Sequence, residues 1–304
     1  MGDLHSLPHT SQTASSGLEL VDVMLADLRE ALEALFEYSD VRYDDINSRD
    51  SGVFVVGWNK WQWTKLPDVA APAVGTARQA FQRVREFGDR AARTAPDRAR
   101  ELAGLATTLD RLIEQPGGSL PNGAPASTLD LVREYAGEKL DEYHAAIHRL
   151  PSAFGEGARL LVVDTSALLD RPDLQAWRLD GGRWTIVLVP QVHAELDERK
   201  RDARTRDAAQ KVIRQIEEFD RRGDTFAGVP LSGKLMVREI ATSPDMGETL
   251  PWLRSDVPDD AIIAAALDLM WADLTCGIAV TASDRNVRNK ARLAGLGTVH
   301  PDEL

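Results

Sequence analysis

Beyond Pro151, short apolar runs alternate with helical stretches, and this alternation restricts the fold more than any other feature of the chain. The runs occupy 159–163, 184–189 and 278–281, with a short last one at 298–300. Helical patterning fills 191–221, 259–273 and 285–294, and 226–240 holds a further strand or pair of strands before a loop through Trp252. A strand that is apolar at nearly every position must be covered on both faces, and such strands are joined through helices. The sequence therefore predicts an α/β unit over 158–304, with a parallel sheet between helical layers.

The acids of this half fall at equivalent junctions. Asp164 directly follows Leu160-Leu161-Val162-Val163 and stands at the C-terminal edge of the first strand, where open parallel sheets bind ligands. Glu195 lies five residues past Pro190, in the first turns of the next helix. Asp259 and Asp260 follow Pro258 and open an apolar helix, and Asp284 comes just past the run 278–281. An aspartate at a helix start can cap it by accepting a backbone N–H bond, and Asp259 fits that role. Capping does not account for Asp164 and Glu195, which read as lying off the cap position. Converging carboxylates repel one another and shift toward neutral forms unless a cation compensates them. A ligand set of oxygens alone, without cysteine or a nearby histidine, matches Mg²⁺ or Mn²⁺ rather than Zn²⁺.

A length of 304 residues fits two domains. Residues 1–17 read as a flexible tail and 18–150 as a mainly helical domain. Leu18, Val21, Leu25, Leu28, Leu32, Leu35 and Phe36 share one helical stripe, 74–115 reads as two helices meeting at Ala95-Pro96-Asp97, and a further helix runs from Ser127 or Thr128 to about Arg149. Trp58, Trp61 and Trp63 read as plugs between helices. His144 and His148 lie one turn apart with Asp141 the one acid fixed near them, and read as a solvated helix face. Against 48 Asp and Glu stand 36 Lys and Arg, a net charge of −12, so the overall field does not hold the chain to nucleic acid or anionic membrane. The single cysteine, Cys276, excludes disulfide frameworks and cysteine-rich metal sites. With no long apolar span and no signal core, a cytoplasmic protein without a membrane partner is expected.

Four blocks in order resemble the PIN domain family: Leu-Val-Val-Asp164-Thr-Ser-Ala-Leu-Leu, Val-Pro-Gln-Val-His-Ala-Glu195-Leu-Asp, Asp259-Asp260-Ala-Ile-Ile-Ala-Ala-Ala-Leu, and Thr281-Ala-Ser-Asp284-Arg-Asn-Val-Arg-Asn-Lys-Ala. The last block is similar to the branch that includes larger RNA-decay and PhoH-associated PIN proteins. The resemblance implies a five-stranded parallel sheet with flanking helices and endonucleolytic cleavage of single-stranded RNA. It maps the catalytic and metal-holding acids onto Asp164, Glu195, Asp260 and Asp284, with Mg²⁺ or Mn²⁺ as cofactor. Two departures stand out. The third block offers adjacent acids, one register selecting Asp260 and the register of the larger proteins Asp259. In the fourth, Ala282 occupies the position two before the aspartate where the family usually has a hydroxyl, leaving Thr281 or Ser283 to supply it.

Substrate phosphates need positive charge, since the acids repel them. Arg199, Lys200, Arg201, Arg204 and Arg206 follow Glu195, and Arg285, Arg288, Lys290 and Arg292 follow Asp284. Arg199, Lys200, Arg206, Arg285, Asn286 and Arg288, with Ser166, are the expected substrate contacts; a salt-bridged helix face is the competing reading. Ser166 stands where a haloacid-dehalogenase-like phosphatase needs a second acid, and no glycine loop for a dinucleotide or P-loop is present. The rival functions are a catalytically silent RNA- or protein-binding module and a structure-specific DNA nuclease. The helical domain, richer in acids than in bases, is expected to serve a protein partner or a homo-oligomer.

Overall fold

The computed structural model describes residues 14–43, 52, 61–115, 128–155 and 157–304, so Trp58, most of the tail and the whole 116–125 loop lie outside the described residues. It divides into a helical unit, Leu18–Pro151, and a second unit formed by residue 152 onward together with residues 14–17.

The chain passes from a two-residue strand, β1 (Ser15–Ser16), straight into α1 (Gly17–Phe36). The stripe read from the sequence is the buried face of α1: Val21, Leu25, Leu28, Leu32, Leu35 and Phe36 are all in the core. A small antiparallel pair follows, β2 (Val41–Tyr43) and β3 (Trp61–Trp63). Trp63 is buried and stacks on Phe36 with ring centroids 6.1 Å apart, which makes it a plug. Three helices complete this unit: α2 (Ala71–Ala91), α3 (Pro96–Glu114) and α4 (Leu129–His148). Pro96 occupies the first turn of α3, where its missing N–H is harmless, and Ala95 before it is not helical, so the chain breaks there. Thr128 caps α4 by accepting from Leu131 N at 3.3 Å. Among the described residues no helix is long and apolar enough to cross a membrane.

The second unit runs β4 (Arg159–Val163), α5 (Thr165–Asp170), β5 (Trp184–Leu188), α6 (Pro190–Arg199), α7 (Arg206–Arg222), β6 (Val229–Ser232), β7 (Leu235–Glu239), α8 (Pro258–Ala272), β8 (Gly277–Thr281), α9 (Arg285–Leu293) and β9 (Gly297–Val299). Strands β9, β8, β4, β5 and β7 are parallel neighbours in that order. The expected five-strand count differs from the seven in the sheet, because two antiparallel strands extend it. One is β6, which folds back on β7. The other is β1, read from sequence as loose tail. Strand β9 reaches only Ala279–Thr281 of β8, which leaves Gly277 and Ile278 to pair with Ser16 and Ser15. Gly17 eases this approach: a Cβ there would stand 2.5 Å from Leu274 Cδ2 and 3.2 Å from its Cα, so the leucine would have to shift.

The stretch 191–221 is two helices rather than one. The first ends at Arg199 with Lys200 as its C-cap; in the turn that follows, Asp202 accepts from Arg204 N at 3.0 Å, and the Thr205 hydroxyl donates to the Arg199 carbonyl at 2.9 Å. With Val163 in register with Thr281, and β5 parallel beside β4, the chain leaves β4, β5 and β8 on one edge of the sheet. Every junction acid therefore starts from the same side.

Candidate functional site

A cleft of about 540 Å³ opens at that edge, lined by Asp164, Thr165, Ser166, Leu169, Asp170, Glu195, Arg199, Asp259, Ser283 and Asp284. Asp164 is nearly buried and caps α5, accepting from Ser166 N at 3.0 Å. The Ser166 hydroxyl also donates to that carboxylate and accepts from Ser283 N at 2.9 Å and Asp284 N at 3.4 Å. One side chain thus ties the end of β4 to the end of β8. Asp284 caps α9, accepting from Asn286 N at 2.7 Å. Glu195 projects from α6 and accepts from Gln191 Nε2 at 2.8 Å.

The capping expectation is reversed. Asp164 and Asp284 are caps as well as cleft residues, whereas Asp259, the residue read as a cap, makes no cap bond: Val257 is the N-cap of α8, and Asp259 faces the cleft. Asp260, the register that the resemblance selects first, does not line the cleft. It is buried away from the cleft, where its carboxylate accepts from Lys290 Nζ at 2.5 Å and from Arg254 N at 2.9 Å. Successive helix residues point about 100° apart, and here that rotation carries Asp260 to Lys290 and leaves Asp259 at the cleft.

The expected basic rim is mostly absent from the cleft. Arg199 lines it, one turn beyond Glu195. Lys200 pairs with Asp197 at 2.6 Å, Arg204 with Asp202 at 3.3 Å, and Lys290 is spent on Asp260. Arg288 folds back onto the carbonyls of Ala282 and Ser283 at 2.5 and 2.7 Å. Arg206, Arg285 and Asn286 are exposed and do not line the cleft. Ser166 lines it, but its hydroxyl is committed to the scaffold.

Asp170, at the end of α5, was missed. It lines the cleft and accepts from the Ser283 hydroxyl at 3.3 Å. Its signal was the Asp164-Thr165-Ser166 cap, which starts a helix that puts Asp170 one turn after Ser166. Of the two hydroxyls weighed for the fourth block, Ser283 lines the cleft, while Thr281 is fully buried and its Oγ1 has no hydrogen-bond partner among the described residues.

Five carboxylates and one guanidinium leave the cleft short of positive charge. Burial pushes the Asp164 carboxyl above its usual range, against the two bonds from Ser166, and the charges of Glu195 and Asp259 push the same way. Burial likewise raises Asp259; Lys290 opposes this, and Asp284, Glu195 and Asp260 add to it. A divalent cation would supply what is missing. No three of these acids bring their oxygens all within 4.8 Å of one another.

The sequence model of the PIN domain family matches residues 161–301, which covers all four junctions. No curated protein sequence matches the chain significantly. PIN domains are generally nucleases, and their usual cofactors are divalent ions such as Mg²⁺ or Mn²⁺. The mostly parallel sheet with helices on its faces, the acids at its C-terminal edge and the family match agree: the likeness to the PIN domain family spans residues 161–301 of this chain.

Proposed function

We propose that the chain is a divalent-metal-dependent endoribonuclease that cuts single-stranded RNA by water attack on the phosphodiester. The observation that carries this reading is the meeting of Asp164, Glu195, Asp259 and Asp284, from four separate junctions, in one cleft, where burial and the neighbouring acids raise the carboxyls of Asp164 and Asp259. These four would hold Mg²⁺ or Mn²⁺, with Asp170 at the margin. When bound, such an ion activates water and offsets the charge that builds on the phosphate.

The protein's own groups have separable tasks. Ser166 fixes the Asp164 carboxylate and keeps the ends of β4 and β8 together. Gln191 orients Glu195. Arg199, the cleft's one cation, would receive a substrate phosphate. The open cleft suits an unpaired strand, in which the scissile phosphate is free to approach. The helical unit, with its excess of acids, we assign to a protein partner or a second copy rather than to RNA.

The test is cleavage of end-labelled single-stranded RNA with Mn²⁺, with Mg²⁺ and with a chelator, by wild type and Asp164→Asn. Metal-dependent cutting that disappears in a folded variant supports the reading. Equal cutting by both proteins overturns it. Competition by branched DNA separates an RNA enzyme from a DNA nuclease.

A further inference from the structure

The helical unit holds a different kind of donor set. Asp22 lies in the second turn of α1, and His144 and His148 lie one turn apart at the end of α4. Both imidazoles turn Nε2 toward the same oxygen: Asp22 Oδ1 is 2.8 Å from His144 Nε2 and 3.5 Å from His148 Nε2. The two rings are 4.2 Å apart between centroids, and the three donor atoms all lie within 4.8 Å of one another. No other trio of histidine, cysteine or acid ligands among the described residues is gathered so closely. Asp141, the acid that sequence placed beside the histidines, is instead paired with Arg29 at 2.5 Å.

We propose that Asp22, His144 and His148 form a binding site for a first-row transition ion of the zinc class, which joins α1 to α4. Zinc held at about 2.0–2.2 Å by nitrogen and oxygen donors sets those donors roughly 3.4 Å apart. The observed separations from Asp22 straddle that value, so small side-chain shifts accommodate the ion. Two imidazoles with one carboxylate prefer Zn²⁺, Ni²⁺ or Cu²⁺, whereas Mg²⁺ and Mn²⁺ prefer oxygen, so this site and the cleft differ in what they select. The side chains are partly exposed, which leaves a fourth position to water. His148 ends α4, where the helix dipole favours a cation. Asp22 and His144 are 122 residues apart, so the bound ion would close nearly the whole helical unit into one loop.

The experiment is equilibrium dialysis of the full chain against Zn²⁺ in excess Mg²⁺, with bound zinc counted by elemental analysis, alongside thermal unfolding with and without Zn²⁺. Wild type is expected to retain one zinc and to melt higher with it. The His144→Gln/His148→Gln double variant should bind it about 100-fold more weakly or worse. Asp164→Asn/Asp259→Asn should retain it, which separates this site from the proposed nuclease centre. Asp22→Asn gives a second variant that keeps a polar partner for the histidines, and it too should lose zinc. Undiminished zinc in the histidine or Asp22 variants overturns the proposal. So does a wild type that binds no more tightly than about 1 mM.

Discussion

The helical unit and the cleft use carboxylates in opposite ways. On the helices, acids are matched to arginines: Glu114 takes two bonds from Arg78 at 2.6 and 2.7 Å, and Glu101 takes one from Arg98 at 2.8 Å and one from Arg149 at 2.5 Å. The bonds from Arg78 and from Arg98 and Arg149 hold these two acids below the usual carboxylate range, against partial burial. In the cleft the arrangement is inverted, and Asp164 and Asp259 are pushed up by burial and by one another's neighbours. A fold that needed only packing would pair these acids as it pairs the others. The deficit of positive charge is the property that sets the cleft apart from the helical surface.

Adjacent residues give the sharpest form of this contrast, and the largest expected effects. Asp164→Asn and Asp259→Asn should each lower metal-dependent RNA cleavage by about a thousandfold or more, with circular dichroism unchanged. Asp260→Ala should do the reverse. Lys290 would be left without its buried partner, so urea unfolding should show a loss of about 3 kcal/mol while cleavage per folded molecule survives. Activity lost with Asp260 and kept without Asp259 would exchange their roles and break the comparison.

Their register was not legible from sequence because it depends on distant groups. Asp259 and Asp260 are equivalent as letters after Pro258; what turns Asp260 inward is Lys290, on another helix, and the backbone N–H of Arg254. Strands β4, β5 and β8 were legible because runs buried on both faces have few alternatives, and their bounds shift by a residue at most. Helix α5 has six residues, too few for periodicity, and Asp170 went unnoticed with it. Strand β1 is two residues long and owes its place to the edge that β9 leaves uncovered. Clustering of Arg and Lys in the sequence likewise said nothing of where each guanidinium turns, and Arg288 turned back on the main chain.

That last point makes a smaller test. Among the basic residues expected at the rim, Arg199 alone lines the cleft. Arg199→Ala should raise KM for RNA by about tenfold with little change in kcat, and lower the salt dependence of binding by about one phosphate contact. Lys200→Ala and Arg206→Ala should leave both near wild type. A uniform loss across all three variants would favour a diffuse basic surface over a single phosphate contact.

The smallest effect reads the charge deficit without substrate. A carboxyl whose folded pKa lies above its unfolded value contributes stability that is complete below the unfolded pKa and lost as pH rises through the folded one. Once pH has risen through that raised range, Asp259 is ionised against its surroundings and has surrendered that contribution, whereas an asparagine carries no such cost. In chelator, Asp259→Asn should melt slightly above wild type near neutral pH, and the gap should close as pH falls through the raised carboxyl range. Mg²⁺ at neutral pH should close the same gap by stabilising the wild type alone. A variant less stable than wild type at every pH would mean that Asp259 is held as Glu114 is, by partners that need its charge, and the distinction between cleft and helical surface would fail at its most informative residue.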